Sequence, residues 1–209
     1  MPQLKNAFSG PFFLLFSLIV LSSCGGNVVT DTYYSGAIKS EIPYNSEGKQ
    51  HGEATFYYES GAIMEVSNWK NGVQHGNTEK FWENRQLRES SNFTDGEVDG
   101  QVMNYYENGV VEREANFEMG VIVGDYKEYY DDGTIRLEAN YIDGKREGLM
   151  KEFDDKGIII AQTEWKGGMR NGASTLFDKE GNPVSQIMYK DDNQVGDPII
   201  FDNQGNPIP

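Results

Sequence analysis

Two kinds of residue in this chain recur at intervals regular enough to do chemistry together. Carboxylates stand every 24 positions at Glu59, Glu83, Glu107, Asp131 and Asp155, and the two histidines, His51 and His75, are separated by the same interval. If that interval is two β-strands, neighbours in each set lie roughly 10 Å apart. Catalytic carboxylate pairs stand roughly 5–9.5 Å apart, and calcium ligands lie about 2.3–2.6 Å from their ion. The acids therefore read as an open row, not as an acid–base pair or a calcium site. Two histidines do not complete a zinc site, which takes three or four ligands, and they read as turn residues. The chain has no G-x-S-x-G elbow, no phosphate-binding loop and no dinucleotide fingerprint. It nominates no catalytic residue, no metal and no cofactor. Two uses remain for the acid row: capping of turns, or a rail facing a basic partner.

The elements that would position these residues follow from the same interval. Gly52, Gly76, Gly100, Gly124, Gly148, Gly172 and Gly196 are each 24 residues apart. Five positions after each glycine stands Tyr57, Phe81, Tyr105, Tyr129, Phe153, Phe177 or Phe201. Six positions after it stand Tyr58, Trp82, Tyr106 and Tyr130, then Asp154, Asp178 and Asp202. Nine positions after it a glycine recurs, broken only by Arg85. Seventeen positions after it stand Trp69, Phe93, Phe117, Tyr141, Trp165 and Tyr189. A partial repeat precedes these, with Tyr33, Tyr34 and Tyr44 in the equivalent slots. A fixed period in this range marks a repeat architecture in which each unit buries its face against its neighbours.

The unit is β. Its segments have strand length, and Asn71-Gly72, Asp95-Gly96 and Asp143-Gly144 are hairpin-turn pairs, because Asn, Asp and Gly accept positive φ. The expected fold is all-β: an antiparallel hairpin meander forming one elongated, twisted sheet. Alternation places Ile63, Ser67, Trp69 and their equivalents on one buried face, and Glu112, Glu114 and Asn116 on a wet one. The same alternation turns Tyr58, Trp82, Tyr106 and Tyr130 away from the preceding aromatics. They form a second column on the wetter side, either packing across strands or anchoring a partner.

Composition limits what that partner is. The 209 residues carry 18 Lys and Arg against 33 Asp and Glu, a net charge of −15. Such a surface disfavours nucleic acid and suits a basic protein or peptide. The start differs: Lys5 is the only charge before an apolar stretch, Phe12–Leu21, which is too short to span a bilayer of roughly 30 Å as a helix. This is the layout of a secretory leader. It ends in Leu21-Ser22-Ser23-Cys24, which resembles a bacterial lipobox. That resemblance implies cleavage before Cys24, diacylation of Cys24 and tethering outside the cytoplasm, at the outer membrane where the cell has one. Two acyl chains anchor stably where one does not. The expected organisation is a leader over 1–23, the lipidated cysteine and a short linker over 24–32, and a repeat domain over 33–209.

Three quoted stretches carry a further likeness. Trp69-Lys-Asn-Gly-Val-Gln-His-Gly76, Tyr105-Tyr-Glu-Asn-Gly-Val-Val-Glu-Arg-Glu114 and Tyr141-Ile-Asp-Gly-Lys-Arg-Glu-Gly148 resemble the variant MORN repeat of YwqK-type antitoxins. The resemblance implies the hairpin meander and an immunity partner to a secreted or polymorphic toxin. The sequence departs from the pattern at Arg85 and where Asp154, Asp178 and Asp202 replace the second aromatic. The residues expected to meet a protein partner are Tyr58, Trp82, Tyr106, Tyr130, Glu59, Glu83, Glu107 and Asp131. The alternative expectation is a structural envelope protein that assembles with copies of itself.

Overall fold

The computed structural model describes residues 19–23 and 26–208. Cys24 and residues 1–18 lie outside the described residues, and so does the lipidation they would carry. Everything described is strand or turn. The strands are β1 (Ile19–Ser23), β2 (Gly26–Thr32), β3 (Ile38–Tyr44), β4 (Gly52–Tyr57), β5 (Ile63–Lys70), β6 (Val73–Phe81), β7 (Leu87–Thr94), β8 (Glu97–Val98), β9 (Gly100–Tyr105) and β10 (Val111–Glu118). They continue as β11 (Val121–Tyr129), β12 (Ile135–Ile142), β13 (Lys145–Arg146), β14 (Gly148–Phe153), β15 (Ile159–Lys166), β16 (Met169–Phe177), β17 (Pro183–Lys190), β18 (Asn193–Phe201) and β19 (Pro207–Ile208). All pairings are antiparallel between neighbours in sequence, apart from the two-residue strands β8 and β13, beside which β7 also meets β9 and β12 also meets β14. The result is one open meander. No described helix is long and apolar enough to cross a membrane.

The two sets of turns differ in kind. Asn71-Gly72, Asp95-Gly96 and Asp143-Gly144 have positive φ at both positions, the geometry that matches strand twist in a two-residue hairpin. On the opposite edge each turn spans five residues. Tyr58 N–H donates to the Ala62 carbonyl, Gly61 N–H donates to the Tyr58 carbonyl, and Gly61 sits at φ +85°.

A single sheet has no second layer to cover its side chains, and the burial shows it. The fully or nearly enclosed residues are small: Ala54, Ser67, Thr78, Ser91, Ala115, Ala139 and Thr163. They form a spine across the strands, Ala54 opposite Ser67, Ser67 opposite Thr78, and Thr78 opposite Ser91. The aromatic column from Trp69 to Tyr189, expected as a buried ladder, is only half-buried. Its rings flank the spine: Trp69 Nε1 donates to Ser67 Oγ at 3.1 Å, and Tyr126 meets Tyr141 edge-on at 5.6 Å. Nor is that face apolar throughout. One row runs Glu65, Lys80, Glu89, Asn104, Arg113, Glu128, then Leu137, Glu152, Ala161 and Leu176.

Two expected boundaries move. Residues 26–32, expected within a linker, form β2 and pair with β3 from Asn27–Tyr44 to Thr32–Ile38; the β-branched run Val28-Val29-Thr30 suits a strand. The partial repeat is also out of step by one. Tyr33, not Tyr34, takes the slot of Tyr58: its N–H donates to the Ala37 carbonyl, and its hydroxyl donates to the Tyr57 carbonyl at 2.7 Å. Tyr34 is fully exposed. The cause is the hairpin after β3, in which Tyr44 bridges Gln50 while the next hairpin pairs Trp69 with Gln74, so it is one residue longer.

Candidate functional site

The five-residue turns hold the residues that the sequence singles out. Tyr58, Trp82, Tyr106 and Tyr130 are the first residues of these turns, just past the strand ends, so strand alternation does not set their direction. Each is half-buried and reaches into the next repeat. Tyr58 Oη donates to the Phe81 carbonyl at 2.8 Å, and Trp82 Nε1 to the Tyr105 carbonyl at 3.1 Å. Tyr106 Oη donates to the Tyr129 carbonyl at 2.7 Å, and Tyr130 Oη to the Phe153 carbonyl at 2.8 Å. With Tyr33 they make an unbroken chain of ties from the partial repeat to the fifth full one. Of the two uses expected for this column, packing across the sheet is the one these bonds serve: the residues act as rivets whose polar atoms are used.

The acids take a different place. Glu59, Glu83, Glu107, Asp131 and Asp155 follow those residues in each turn and are exposed. Their carboxylates do not cap the turns. In the second to fourth repeats the cap is two residues past the aromatic: Asn84 accepts from Gln86 N–H, Asn108 from Val110 N–H, and Asp132 from Thr134 N–H. Asn84 and Asn108 also donate to the backbone carbonyls of Glu107 and Asp131. The later turns cap themselves from the slot vacated by the aromatic. Asp154 accepts from Lys156 and Ile158 N–H, Asp178 from Glu180 and Asn182 N–H, and Asp202 from Gln204 and Asn206 N–H. Backbone donation from Asn182 and Asn206 holds the Asp178 and Asp202 carboxyls below the ordinary carboxylate range.

No acid of the row joins an ion pair among the described residues, whereas nine such pairs form elsewhere. Two of those involve the polar row, which the sequence reading missed, and a hydrogen-bonded pair joins them. Lys80 meets Glu89 at 2.9 Å, both Nε and Nη2 of Arg113 reach Asn104 Oδ1, and Arg136 pairs with Glu128. The signal was present: thirteen positions past each repeat glycine the sequence reads Glu65, Glu89, Arg113, then Leu137 and Ala161. Tyr126 hydrogen-bonds Glu128; burial, and after it that bond, pushes the Tyr126 phenol up to about 12. Burial and the Glu114 carboxylate do the same to Tyr129, also to about 12. His51 Nδ1 lies 3.3 Å from Asn71 N–H, and His75 Nδ1 lies 3.7 Å from Asp95 Oδ1, so both histidines sit against the next hairpin turn. No group of three or more His, Cys, Asp and Glu among the described residues is placed to hold a metal ion.

Three segments of the chain match the MORN repeat variant. They are residues 50–71, 98–119 and 122–143, and their starts are two periods and then one period apart. MORN repeats are generally non-catalytic modules that engage proteins or membranes. No curated protein matches the chain.

Proposed function

We propose that this chain is a non-catalytic repeat module that binds another protein at the cell envelope, tethered through lipid on Cys24. One observation carries the reading: Glu59, Glu83, Glu107 and Asp131 project from successive turns at a constant spacing, exposed and without cationic partners among the described residues. Such a row presents a periodic negative edge to a basic protein surface. The outer edges of Tyr58, Trp82, Tyr106 and Tyr130 adjoin it and add contact area. Immunity against a secreted or polymorphic toxin that acts on or passes through the envelope is the specific case, supported by the likeness to YwqK-type antitoxins.

The experiment is to replace the four acids together by Glu59→Gln, Glu83→Gln, Glu107→Gln and Asp131→Asn. Co-purification of the partner from envelope extracts is lost while the far-ultraviolet spectrum stays the same. Retained capture, insensitive to salt, counts against the edge. Cys24→Ser moves the protein into the soluble fraction; unchanged membrane retention counts against the tether.

Self-association is a second reading, favoured by β18. Among the described residues only its Ile200 and Phe201 pair with β19, and its Val195, Ile199 and Ile200 are exposed. Strand edges of this kind pair with other chains. A defined oligomer unaffected by the four acid changes would favour it.

A further inference from the structure

The turn between β6 and β7 departs from its equivalents in a way that builds a cleft. Seven of the eight turns on this edge have glycine at their left-handed position, and Arg85 takes that position in the remaining one at φ +72°. A side chain there costs of order 1–2 kcal/mol. The neighbour changes with it. In the next three repeats the turn glycine faces a larger side chain from the repeat before: Gly109 faces Gln86, Gly133 faces Val110, and Gly157 faces Thr134. Arg85 has Ala62 in that place, so large and small have exchanged sides. Between them lies a cleft of about 430 Å³ lined by Tyr57, Gly61, Ala62, Ile63, Phe81 and Arg85, within the range of about 300–1,000 Å³ that holds small ligands. Its walls are aromatic and aliphatic. Its one charge is the Arg85 guanidinium, which belongs to none of the ion pairs among the described residues of this acidic chain.

We infer that this cleft receives the C-terminal residue of a protein partner: its apolar side chain between Tyr57, Phe81 and Ile63, its terminal carboxylate on Arg85. The guanidinium fork matches a carboxylate, and capture of a chain terminus is an established mode of peptide recognition. A terminus is favoured over an internal acidic segment by geometry. Neighbouring side chains of an extended segment point to opposite sides, so an internal acid and its apolar neighbour do not enter one cleft together. A C-terminal residue brings both groups on one backbone unit. The inference is independent of the acid row, which calls for the opposite charge.

The test is a titration of the full chain in detergent with acetyl-Gly-Gly-Phe as the free acid and as its carboxamide. Methyl resonances of Ala62 and Ile63 are followed by NMR. The acid gives saturable shifts at both methyls, and the amide binds at least about tenfold more weakly, as expected for loss of a charged hydrogen bond. Arg85→Gly restores the residue used in the other turns, so the fold is retained, and it removes the preference for the acid. Ala62→Val narrows the cleft and weakens both peptides while Arg85 stays in place. Equal binding of acid and amide, undiminished acid binding by Arg85→Gly, or no saturable shift at Ala62 and Ile63 would each overturn the inference. Loss of partner capture by the four acid replacements leaves these titrations unchanged, so the two readings fail separately.

Discussion

The first four repeats and the last three share a period and a backbone but are held together differently. In the first four, an aromatic at the start of each turn donates to a carbonyl of the following repeat, and Asn84 and Asn108 add a second donation of the same kind. In the last three, an aspartate in that slot folds back to cap its own turn. The spine changes in parallel: Ser67 is wholly enclosed, whereas its counterpart Ile187 is not, and Leu176, Ile200 and Ile208 are exposed. A strand-turn unit can thus be stabilised between repeats or within one. Only the first arrangement makes the aromatic slot itself a link to the next unit; in the later repeats the side-chain links lie at the opposite turns, where Asn171 donates to Asp191 and Arg170 pairs with Asp192. Stability of a repeat array is approximately a sum of unit and interface contributions, so the first half, tied at both edges, should behave as the more cooperative block and the second as more weakly coupled units.

The sharpest break in this comparison is steric. Ser67→Ile inserts a branched chain at a site with no free space and destabilises the first half by about 3 kcal/mol. Ile187→Ser in the matching slot costs about 1 kcal/mol. Chemical denaturation with exchange read repeat by repeat separates the two; equal losses would mean that the spine is uniform.

Next in size, Tyr58→Phe, Tyr106→Phe and Tyr130→Phe together remove three ties at about 1 kcal/mol each. Amide exchange in β4–β12 then rises to the rate of β15–β18. The reverse exchange sharpens the same point. Asp154→Tyr with Lys156→Asn extends the ties by one repeat and slows exchange in β16.

The two halves should also part with pH. Asp178 and Asp202 have lowered carboxyl pKa values in the fold, so their contribution is present above the usual value of about 3.9 and lost as pH falls through the lowered values. Tyr126 and Tyr129 are raised to about 12, so theirs is full below the usual value of about 10 and lost as pH rises through 12. Asp132 shares the acid response. Acid should therefore loosen the last repeats first and alkali the centre, as seen in residue-resolved spectra. The smallest effect is that of Asp202→Ala, confined to faster exchange at Gln204 and Asn206.

Much of this architecture is legible in the sequence, because strand length, turn pairs and the glycine period all agree. The face assignments are less so. Tyr58 and its equivalents lie just beyond the strands, where alternation no longer applies, and their hydrogen-bond partners 23 residues away leave no local mark. The register of Tyr33 depends on one extra residue in a hairpin, a difference that counting by 24 passes over. Arg85 is visible as a broken glycine column, but the cleft beside it also requires Ala62.

If Cys24 is lipidated as proposed, the pairing of β2 limits how far from a bilayer the protein stands. Were residues 24–32 a free leash, it would reach about 30 Å; with β2 beginning at Gly26, the chain from Cys24 to β2 spans at most about 7 Å. On the lipid-anchored reading, the sheet is planted by β2, and the sixteen strand positions from β2 to β19, β8 and β13 counted with β9 and β14, extend it about 70 Å along the hydrogen-bonding direction. The riveted repeats then stand nearest the lipid, and the looser ones at the far end meet whatever approaches.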